Sequence, residues 1–352
     1  MAVSITGKSG SSAHNGTLTI TGSGFGTKSV AAPVVWDNCS ESKITALWSG
    51  VWPSAGTAQY LMQYRDAPYR GIAPPHSRVG RYMTGCHGDN NGADEGWNVM
   101  CWKQRVISAF PAYSYASWYQ RCDDAWVFGL SGTPDDNFKV YDYSRGTSPY
   151  DLPNNWYTEY NTRPTSKTAI PAWHVNDDNG SLDGSGEWGK NAVNPMSGVW
   201  SKVEHYIKIT NVAKGGFIKI YENGSLVLDM AATRTDAMSG TSRVDAIGGF
   251  SRDSGNGNNF RYFADLYLDD TLQHIVLGDA SMIDLCSKLE VQKPTAWSDT
   301  SITVTVNRGV FSDGQKVYLY VYDTTGTPNT NGLLIAGADT TPPAPPKNLR
   351  IQ

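Results

Sequence analysis

Short alternating segments separated by glycine- and asparagine-rich turns recur along almost the whole chain, and they limit its fold more than any other feature. The clearest example is IKIYENGSLVL, from Ile218 to Leu228, in which Asn223-Gly224 separates two alternating runs. A two-residue hairpin loop needs positive φ at both positions, which asparagine and glycine adopt at little cost. The segment therefore predicts an antiparallel β-hairpin.

The same alternation of apolar and polar residues predicts strands elsewhere in the chain. They are expected at Ser4 to Thr6, Thr17 to Thr21, Tyr113 to Arg121, Phe138 to Tyr143, Trp156 to Asn161, Val203 to Thr210, Phe217 to Glu222, Leu226 to Asp229, Phe260 to Asp269, His274 to Leu277, Ile302 to Val306 and Val317 to Tyr322. Helix signals are nearly absent, and a single helical turn is expected around Ala280 to Leu285 with Asp279 as its N-cap. Such a chain is expected to be all-β, folded as an antiparallel sandwich or barrel.

The two ends of the chain predict a second, smaller domain. Met1 to Lys28 offers two strands and Val291 to Gly337 about three, and neither piece is long enough to bury a core alone. We expect them to pack together as one small β-sandwich, with the large domain inserted between them. The expected boundaries are 1–32 and 287–337 for the two parts of the small domain, 33–286 for the large domain and 338–352 for a proline-rich tail.

Two segments of the flanks carry a family resemblance. GTLTITGSGFGTK, from Gly16 to Lys28, resembles the opening of immunoglobulin-like modules of the plexin and transcription-factor type, whose early strand ends in a similar GSGFG turn. SITVTVNRGVFSDGQKVYLYVYDTTG, from Ser301 to Gly326, resembles the later strands of similar domains in bacterial surface proteins. The resemblance implies that the small domain is immunoglobulin-like.

The central part of the chain resembles the concanavalin A-like lectin and glucanase jelly rolls, which include laminin-G-like modules and several polysaccharide lyases. The segments that carry the likeness are YASWYQRCD, VWSKVEHYIKI with the hairpin that follows it, and IGGFSRDSGNGNNFRYFADLYLDD. They imply a concanavalin-like jelly-roll sandwich beside the small immunoglobulin-like β-sandwich. The ExDxxE strand of the glucanases is absent, and neither the RxEL nor the QIH strand of the alginate lyases is found.

A glycan site needs flat aromatic faces for sugar rings and planar polar groups for hydroxyls. In YASWYQR and NFKVYDYSR the natural core residues are Ala116, Trp118, Phe138 and Val140. The opposite parity would form an aromatic and cationic surface suited to an anionic polysaccharide, made of Tyr119, Arg121, Lys139, Tyr141, Tyr143 and Arg145. The alternative is an ordinary solvated face, or one covered by a loop or by another subunit.

In the predicted strand FRYFADLYLDD, from Phe260 to Asp270, one set of alternate residues is apolar and the other set is aromatic and charged. We expect the apolar set to face the core, with Phe260, Tyr262, Leu266 and Leu268. Charges two or four residues apart on the other parity can offset each other, which favours a structural surface. That surface would contain Arg261, Asp265 and Asp269.

Elimination chemistry on a uronic-acid polymer needs a group that neutralises the sugar carboxylate, and a tyrosine or histidine that serves as base and acid near C5. Residues of the right types are Tyr143, Arg121, His87 and His174. No sequence spacing ties any two of them to one place, and each is more often a surface or hydrogen-bonded core residue.

Calcium is the one metal that the sequence suggests. The run DDNGSLDGSGE alternates oxygen ligands at Asp177, Asn179, Ser181 and Asp183. An EF-hand requires glycine at its sixth position and this loop has Leu182 there, so that motif fails. Loops rich in Asp, Asn and Gly are mostly turns, which is the alternative.

The five cysteines are Cys39, Cys86, Cys101, Cys122 and Cys286, with no CxxC pair. This spacing argues against a zinc site. Cys86 and Cys101 bracket the loop GDNNGADEG, and two interpretations stay open for them: a disulfide in an oxidising compartment, or buried free thiols.

Charge and hydropathy exclude two classes of partner. The formal net charge is −4 and the basic residues are scattered, so nucleic acid is not an expected partner. No apolar run has the length of a membrane span. The N-terminal MAVSITGKSG lacks the charged and apolar regions of a signal peptide, so we expect either that a signal has been removed or that the protein reaches the outside without one.

Together these features predict a non-catalytic surface protein that requires no cofactor, with calcium as the one candidate ion. Its expected role is glycan binding, or display on an extracellular particle such as a phage virion, as a decoration, fibre or adhesin subunit. One alternative is a polysaccharide lyase or glycoside hydrolase that acts on an anionic polysaccharide. Another is an assembly subunit whose proline-rich tail, ADTTPPAPPKNLRIQ, contacts neighbouring subunits.

Overall fold

The fold is seen in a computed structural model, which describes residues 2–54, 58–87, 98–106, 113–124, 137–146, 156–161, 172–177, 182, 187–191, 198–235, 242–250 and 259–336. Within these residues the chain contains β-strands and two single 3₁₀ turns, Ile44–Ala46 and Ile283–Leu285, and no α-helix. No helix of the described chain therefore has the length and apolar character needed to cross a membrane. The prediction of an all-β protein is confirmed.

The strands are numbered in chain order. They are β1 Ser4–Gly10, β2 Thr17–Ser23, β3 Val35–Asp37, β4 Gly50–Trp52, β5 Gln63–Asp66, β6 Arg81–His87, β7 Asn98–Val106, β8 Tyr113–Cys122, β9 Asn137–Arg145, β10 Trp156–Asn161, β11 Ala172–Asp177, β12 Glu187–Asn191, β13 Ser201–Lys208, β14 Gly216–Glu222, β15 Ser225–Thr233, β16 Ser242–Phe250, β17 Asn259–Asp269, β18 Ile275–Gly278, β19 Leu289–Val291, β20 Lys293–Trp297, β21 Ser301–Thr305, β22 Val317–Val321 and β23 Leu333–Ala336.

The chain divides into two compact units, of which the larger consists of Ala32–Gln273 with Thr324–Gly326. The smaller unit consists of the segments on either side, and it has two four-stranded sheets, β1-β2-β21-β20 and β19-β18-β22-β23. In its first sheet β2 pairs with β21, so that Leu18 lies opposite Val304. Both residues belong to a core that draws on both ends of the chain.

The C-terminal boundary of the larger unit differs from the expected one. The larger unit ends at Gln273, not at Cys286, and β18 belongs to the smaller unit. The reason is that Ile275 and Leu277 pack in the smaller core, and that β18 pairs with β19 and β22. The immunoglobulin-like character of this unit stays a prediction.

The predicted helical turn is shorter than expected and is not capped by Asp279. Its 3₁₀ turn begins only at Ile283, with Met282 in the N-cap position. Asp279 instead accepts hydrogen bonds from the backbone N–H groups of Ser287 (2.8 Å) and Lys288 (3.2 Å) beyond the turn.

The larger unit is a sandwich of two antiparallel sheets. One sheet has seven strands in the order β12-β11-β10-β9-β16-β7-β4. The other has eight, in the order β15-β14-β13-β8-β17-β6-β5 with β3 paired to β17. Large side chains from both sheets meet in one core, where Trp118 of the second sheet stacks on Tyr141 of the first at 6.4 Å between ring centroids. This burial of apolar surface is the main stabilising term of such a sandwich.

The Asn223-Gly224 hairpin is confirmed. It joins β14 and β15, with φ of 50° at Asn223 and 78° at Gly224. The Asn223 side chain also accepts a hydrogen bond from the backbone N–H of Lys202 at 2.9 Å, which fixes the turn against β13.

A β-bulge at Asp265 reverses the expected orientation of the first half of β17. Asp265 has φ of 48°, and the register against β8 shifts between Ala264 and Tyr267. One extra residue moves the following side chains to the other face, because successive side chains alternate.

The expected core set of β17 is therefore half right. Leu266 and Leu268 lie in the core between the sheets, as predicted. Phe260 and Tyr262 lie instead on the outer face of the eight-stranded sheet. Arg261, predicted to be on a surface, is buried between the sheets with its guanidinium 3.9 Å from the ring centroid of Phe138.

All five cysteines are free in the structure, so for Cys86 and Cys101 it shows buried thiols and not a disulfide. Cys86 lies opposite Phe260 on the outer face of its sheet, whereas Cys101 belongs to the core between the sheets. Their side chains thus lie on different sides of the eight-stranded sheet. Burial raises the pKa of the Cys101 thiol well above its usual value, which makes it unreactive.

Candidate functional site

The six residues predicted to form one glycan surface lie in three different places. Tyr119 and Arg121 are on the outer face of the eight-stranded sheet, where Tyr119 contacts the His76 ring (centroids 5.7 Å apart). Arg121 forms an ion pair with Asp124. The other members are on β9, of which Lys139 lies on the outer face of the seven-stranded sheet, while Tyr141, Tyr143 and Arg145 are buried between the sheets.

A bulge in β9 is the reason that the predicted surface is wrong. Thr158 of β10 lies opposite Tyr141 and the next residue, Glu159, lies opposite Lys139, so Val140 is the extra residue. Phe138 points inward before the bulge, and Tyr141 points inward after it. Regular alternation, assumed in the prediction, would have placed Tyr141 outside.

The same bulge helps to build a different cluster on the outer face of the seven-stranded sheet. Six polar side chains of β9, β10 and β11 form two rows there, and we call this set the polar grid. The first row is Asp142, Tyr157 and Asn176, and the second row is Lys139, Glu159 and His174. Within each row the residues are direct cross-strand partners, whose Cβ atoms lie roughly 4.5–5.5 Å apart.

The alternation of β10 and β11 explains why these side chains point outward. In WYTEYN the aromatic residues Trp156 and Tyr160 pack in the core, which leaves Tyr157 and Glu159 on the other face. In AWHVND the core residues are Trp173 and Val175. His174 and Asn176 consequently share the outer face with the β10 pair.

The second row contains an acid–base pair. His174 Nδ1 donates a hydrogen bond to Glu159 Oε1 at 2.9 Å, and both side chains are buried. A carboxylate bound to Nδ1–H selects the tautomer that has its lone pair on Nε2, and it stabilises the imidazolium that forms when Nε2 takes up a proton. The pair thus has the arrangement of a general base.

The first row holds a phenol between a donor and a cation. Asn176 Nδ2 donates to Tyr157 Oη at 2.9 Å, and Lys139 Nζ lies 3.6 Å from the Tyr157 ring centroid. Lys139 also lies 3.9 Å from Asp142 Oδ1. The amide and the ammonium both stabilise negative charge that develops on the phenol oxygen, as it does when a tyrosine gives up its proton.

Two residues support the grid, one from the adjacent strand β16 and one from β17 of the facing sheet. Gly249 of β16 has φ of 144°, and a Cβ added there would lie 2.7 Å from the Lys139 Cβ, so only glycine allows this approach. Arg261 donates from inside the sandwich to the carbonyl oxygens of Lys139 (2.8 Å) and Gly249 (3.4 Å). Burial lowers the pKa of Arg261 to about 10, and its cation lies beneath the backbone that carries Lys139.

The grid combines the groups that acid–base chemistry needs. His174 and Tyr157 are diagonal neighbours on adjacent strands, a relation that places residues roughly 7–8 Å apart. A base and a proton donor at that spacing can serve two atoms of one bound sugar unit. Lys139 and Asn176 supply positive charge and a donor between them.

The calcium prediction is mostly outside the described residues. Asn179, Ser181 and Asp183 are not among them, and Asp177 accepts a hydrogen bond from the backbone N–H of Leu182 at 2.7 Å. Among the residues that the structure describes, no group of three His, Cys, Asp or Glu side chains could hold a metal ion. Calcium in this loop stays a prediction.

Sequence reasoning found two members of the grid and missed four. Lys139 belongs to the predicted glycan surface, and His174 is among the residues whose types suit lyase chemistry. The missed residues are Asp142, Tyr157, Glu159 and Asn176. The alternation within WYTEYN and AWHVND was the available signal, but the rows exist only through the register of three strands.

Comparison with known proteins gives low overall similarity. No protein-family model matches the chain, and no curated protein matches it. Among solved structures, an alginate lyase mutant in complex with an alginate trisaccharide has a TM-score of 0.38 and 15% identity, over 53% of this chain and 81% of that one. An endo-β-1,4-glucuronan lyase from the fungus Trichoderma reesei has a TM-score of 0.40 and 10% identity, over 63% of this chain and 90% of that one. The receptor-binding domain of botulinum neurotoxin type G has a TM-score of 0.32 and 9% identity, over 82% of this chain and 78% of that one.

Proposed function

We propose that this chain is a polysaccharide lyase, which cleaves a uronic-acid polymer by β-elimination at the polar grid. The observation that carries the proposal is the Glu159–His174 pair beside Tyr157, with Lys139 over the Tyr157 ring, on one sheet face. The comparisons add no support beyond the fold class, and the proposal rests on these side chains.

The chemistry follows from the roles that the grid residues can fill. Lys139 and Asn176 neutralise the sugar carboxylate, which makes the C5 proton more acidic. His174 Nε2 takes that proton, and Glu159 stabilises the imidazolium that results. The C5–H electron pair becomes the C4–C5 double bond as the C4–O bond breaks, and Tyr157 donates its proton to the departing glycosidic oxygen.

Elimination fits the grid better than hydrolysis does. Glycoside hydrolases use two carboxyl groups that flank the scissile bond, one as an acid and one as a base or nucleophile. Both carboxylates of the grid are already bound to basic side chains, Glu159 to His174 and Asp142 to Lys139. Neither is arranged as a protonated acid.

The test is the appearance of unsaturated uronic products, which absorb in the ultraviolet, when the protein is incubated with alginate, glucuronan or another polyuronate. We expect product from the native protein, and about 100- to 10,000-fold less from Tyr157→Phe, which keeps the ring and loses the proton. Tyr221→Phe, on the outer face of the other sheet, is the matched control and should leave the rate unchanged. Absence of product from every polyuronate tested, with the protein folded, would contradict the proposal.

A non-catalytic glycan-binding or display module is the second candidate. Lys139, whose side chain is partly exposed above the Tyr157 ring, offers an acidic sugar a cation, which is a contact that binding alone can use. Binding of a polyuronate without product would favour this function over the lyase. An extracellular or virion-surface location and contacts with neighbouring subunits through the tail are proposals that accompany it.

A further inference from the structure

The segment from residue 58 to residue 87 is basic within an acidic chain. It contains four arginines, Arg65, Arg70, Arg78 and Arg81, and one acidic residue, Asp66, whereas the whole chain has a formal net charge of −4. The segment supplies β5 and β6 at one end of the eight-stranded sheet and the loop between them. A local excess of arginine of this kind attracts anionic groups.

Two of these arginines alternate with two aromatic rings, and we call the four residues the arginine ladder. The Arg65 guanidinium lies 5.0 Å from the Tyr69 ring centroid. The Tyr69 ring meets Phe260 edge to face at 6.0 Å, and the Arg70 guanidinium lies 4.3 Å from the Phe260 centroid. Stacking on a ring orients a guanidinium and leaves its N–H edge available for hydrogen bonds.

The Arg70 guanidinium has N–H donors that are available to a ligand. Its side chain is 43% exposed, and it forms no hydrogen bond with any residue that the structure describes. Among the described residues it pairs with Asp123, at 4.0 Å. Asp123 already accepts hydrogen bonds from the Phe260 backbone N–H (3.0 Å) and from Tyr262 Oη (2.8 Å), so it does not saturate the guanidinium.

The backbone holds the ladder in place. Arg70 has φ of 54°, in the left-handed region that residues other than glycine rarely adopt, and Gly71 follows with φ of 80°. The Tyr82 hydroxyl accepts a hydrogen bond from the Tyr69 backbone N–H at 2.6 Å. It lies within donating distance of the carbonyl oxygens of Tyr69 (3.1 Å) and Ile72 (3.0 Å). A guanidinium fixed in this way loses little entropy when it binds an anion.

We propose that the arginine ladder binds the carboxylates of an acidic polysaccharide, at a second site that is separate from the polar grid. The planar edge of Arg70 fits a carboxylate in a bidentate geometry, and the ladder lies on the outer face of the sheet opposite to the one that carries the grid. It can therefore hold the polymer without taking part in its cleavage. The choice of a uronate as ligand rests on the proposed function.

A polyuronate suits the ladder better than a nucleic acid does. Binding to a nucleic-acid backbone depends on many basic contacts along a charged stripe, whereas the arginine ladder offers two stacked guanidiniums within an acidic chain. Each guanidinium can pair with one carboxylate of such a polymer.

The test is the affinity of the full chain for alginate, measured by retardation in gels that contain the polymer, in a His174→Gln background that prevents turnover. We expect Arg70→Ala to weaken retardation about 10-fold, because a bidentate charged contact is lost. Arg70→Lys should be intermediate, since it keeps the charge and loses the planar edge. Arg65→Ala should have a smaller effect, because Arg65 Nη2 already donates to the Ala58 carbonyl at 3.1 Å. Lys43→Ala, which removes an exposed charge elsewhere in the same unit, should have no effect.

Cleavage assays separate this proposal from the proposed function. If the ladder is a holding site, Arg70→Ala slows cleavage of the polymer and leaves cleavage of a short oligosaccharide unchanged. Weaker retardation of Arg70→Ala without any lyase activity in the native chain would uphold the ladder and refute the function of the grid. Native retardation of a folded Arg70→Ala protein, or an equal loss of retardation by Arg70→Ala and Lys43→Ala, would overturn the ladder. Equal retardation of the native chain by duplex DNA and by alginate would also overturn it, because the ladder would then not select a uronate.

Discussion

Two consecutive residues of β10 bind two histidines on opposite faces of the same sheet. Inside the sandwich, Thr158 Oγ1 lies 2.9 Å from His205 Nε2, and the His205 ring stacks on Trp118 with centroids 5.2 Å apart. Outside, Glu159 Oε1 accepts a hydrogen bond from His174 Nδ1 at the same distance of 2.9 Å. Burial lowers the pKa of His205 to about 3, so this ring stays neutral at ordinary pH.

The two histidines differ in their hydrogen-bond partners more than in their burial. Both rings are largely buried, with His205 at 0% and His174 at 8% exposure. His205 has aromatic rings around it that offer nothing to stabilise a cation through hydrogen bonds, whereas His174 has a carboxylate. The proposed function uses His174, whereas we expect His205 to contribute to the stability of the sandwich, and the two roles can be separated by experiment.

The largest expected effect is the loss of turnover in His174→Gln. Without the imidazole no side chain of the grid can take the C5 proton in the same way, so the rate of product formation should fall about 100- to 10,000-fold. The free energy of unfolding, measured in denaturant, should fall by no more than about 1–3 kcal/mol, because the glutamine amide can still donate a hydrogen bond to the buried Glu159 carboxylate. A variant that is much less stable but cleaves the polymer at the native rate while folded would contradict the proposed role of His174.

Glu159→Gln should have a smaller effect on the same rate. Its amide oxygen can still accept the His174 Nδ1 hydrogen bond, so the tautomer is kept and only the charge that stabilises the imidazolium is lost. We expect a fall of about 10- to 100-fold, since a hydrogen bond to a charged group contributes about 1.5–3 kcal/mol. A rate equal to that of the native chain would show that Glu159 is structural.

His205 should appear in the pH dependence of stability. An unfolded histidine takes up a proton as the pH falls below about 6.5. The folded His205 does so only near pH 3, because burial lowers its pKa to about 3. Between these values the unfolded state binds more protons than the folded state. The free energy of unfolding therefore decreases as the pH is lowered, by up to about 1.4 kcal/mol per pH unit.

The measurement is denaturant unfolding of the native chain and of His205→Gln between pH 7 and pH 4. In the variant, the free energy of unfolding should depend less steeply on pH, by the contribution of one proton. Equal slopes in the two proteins would mean that His205 is protonated in the folded state.

The smallest effect is expected at an exposed cross-strand pair on the other sheet. Lys219 and Asp229 lie 3.6 Å apart with both side chains more than a third exposed, in contrast to the buried Glu159–His174 pair. Asp229→Asn should change the free energy of unfolding by less than about 0.5 kcal/mol and leave turnover unchanged. It is the matched control for Glu159→Gln. A large decrease in the free energy of unfolding would show that burial does not determine how much a cross-strand pair of this unit contributes to stability.

The sequence predicts the local structure of this molecule well and the faces of its strands less well. The Asn223-Gly224 hairpin follows from the backbone preferences of two residues, and the strand around Trp156 follows from alternation. Both signals are local, and both predictions are confirmed.

The two bulges explain what could not be predicted. The extra residues Val140 and Asp265 are neither glycine nor proline, and each reverses the parity of half a strand. The first of them buries Tyr141 and turns Asp142 outward beside Tyr157. The polar grid depends on this reversal and on the register of three strands, so its composition is a property of strand pairing and not of any short segment.

The most direct test of the account is the rate of cleavage of a uronate oligosaccharide that carries deuterium at C5. If His174 removes the C5 proton in the step that forms the double bond, unsaturated product should appear more slowly from the deuterated sugar than from the ordinary one. Equal rates from a protein limited by chemistry, or a hydrolysed product without a double bond, would contradict the assignment of the polar grid as an elimination site.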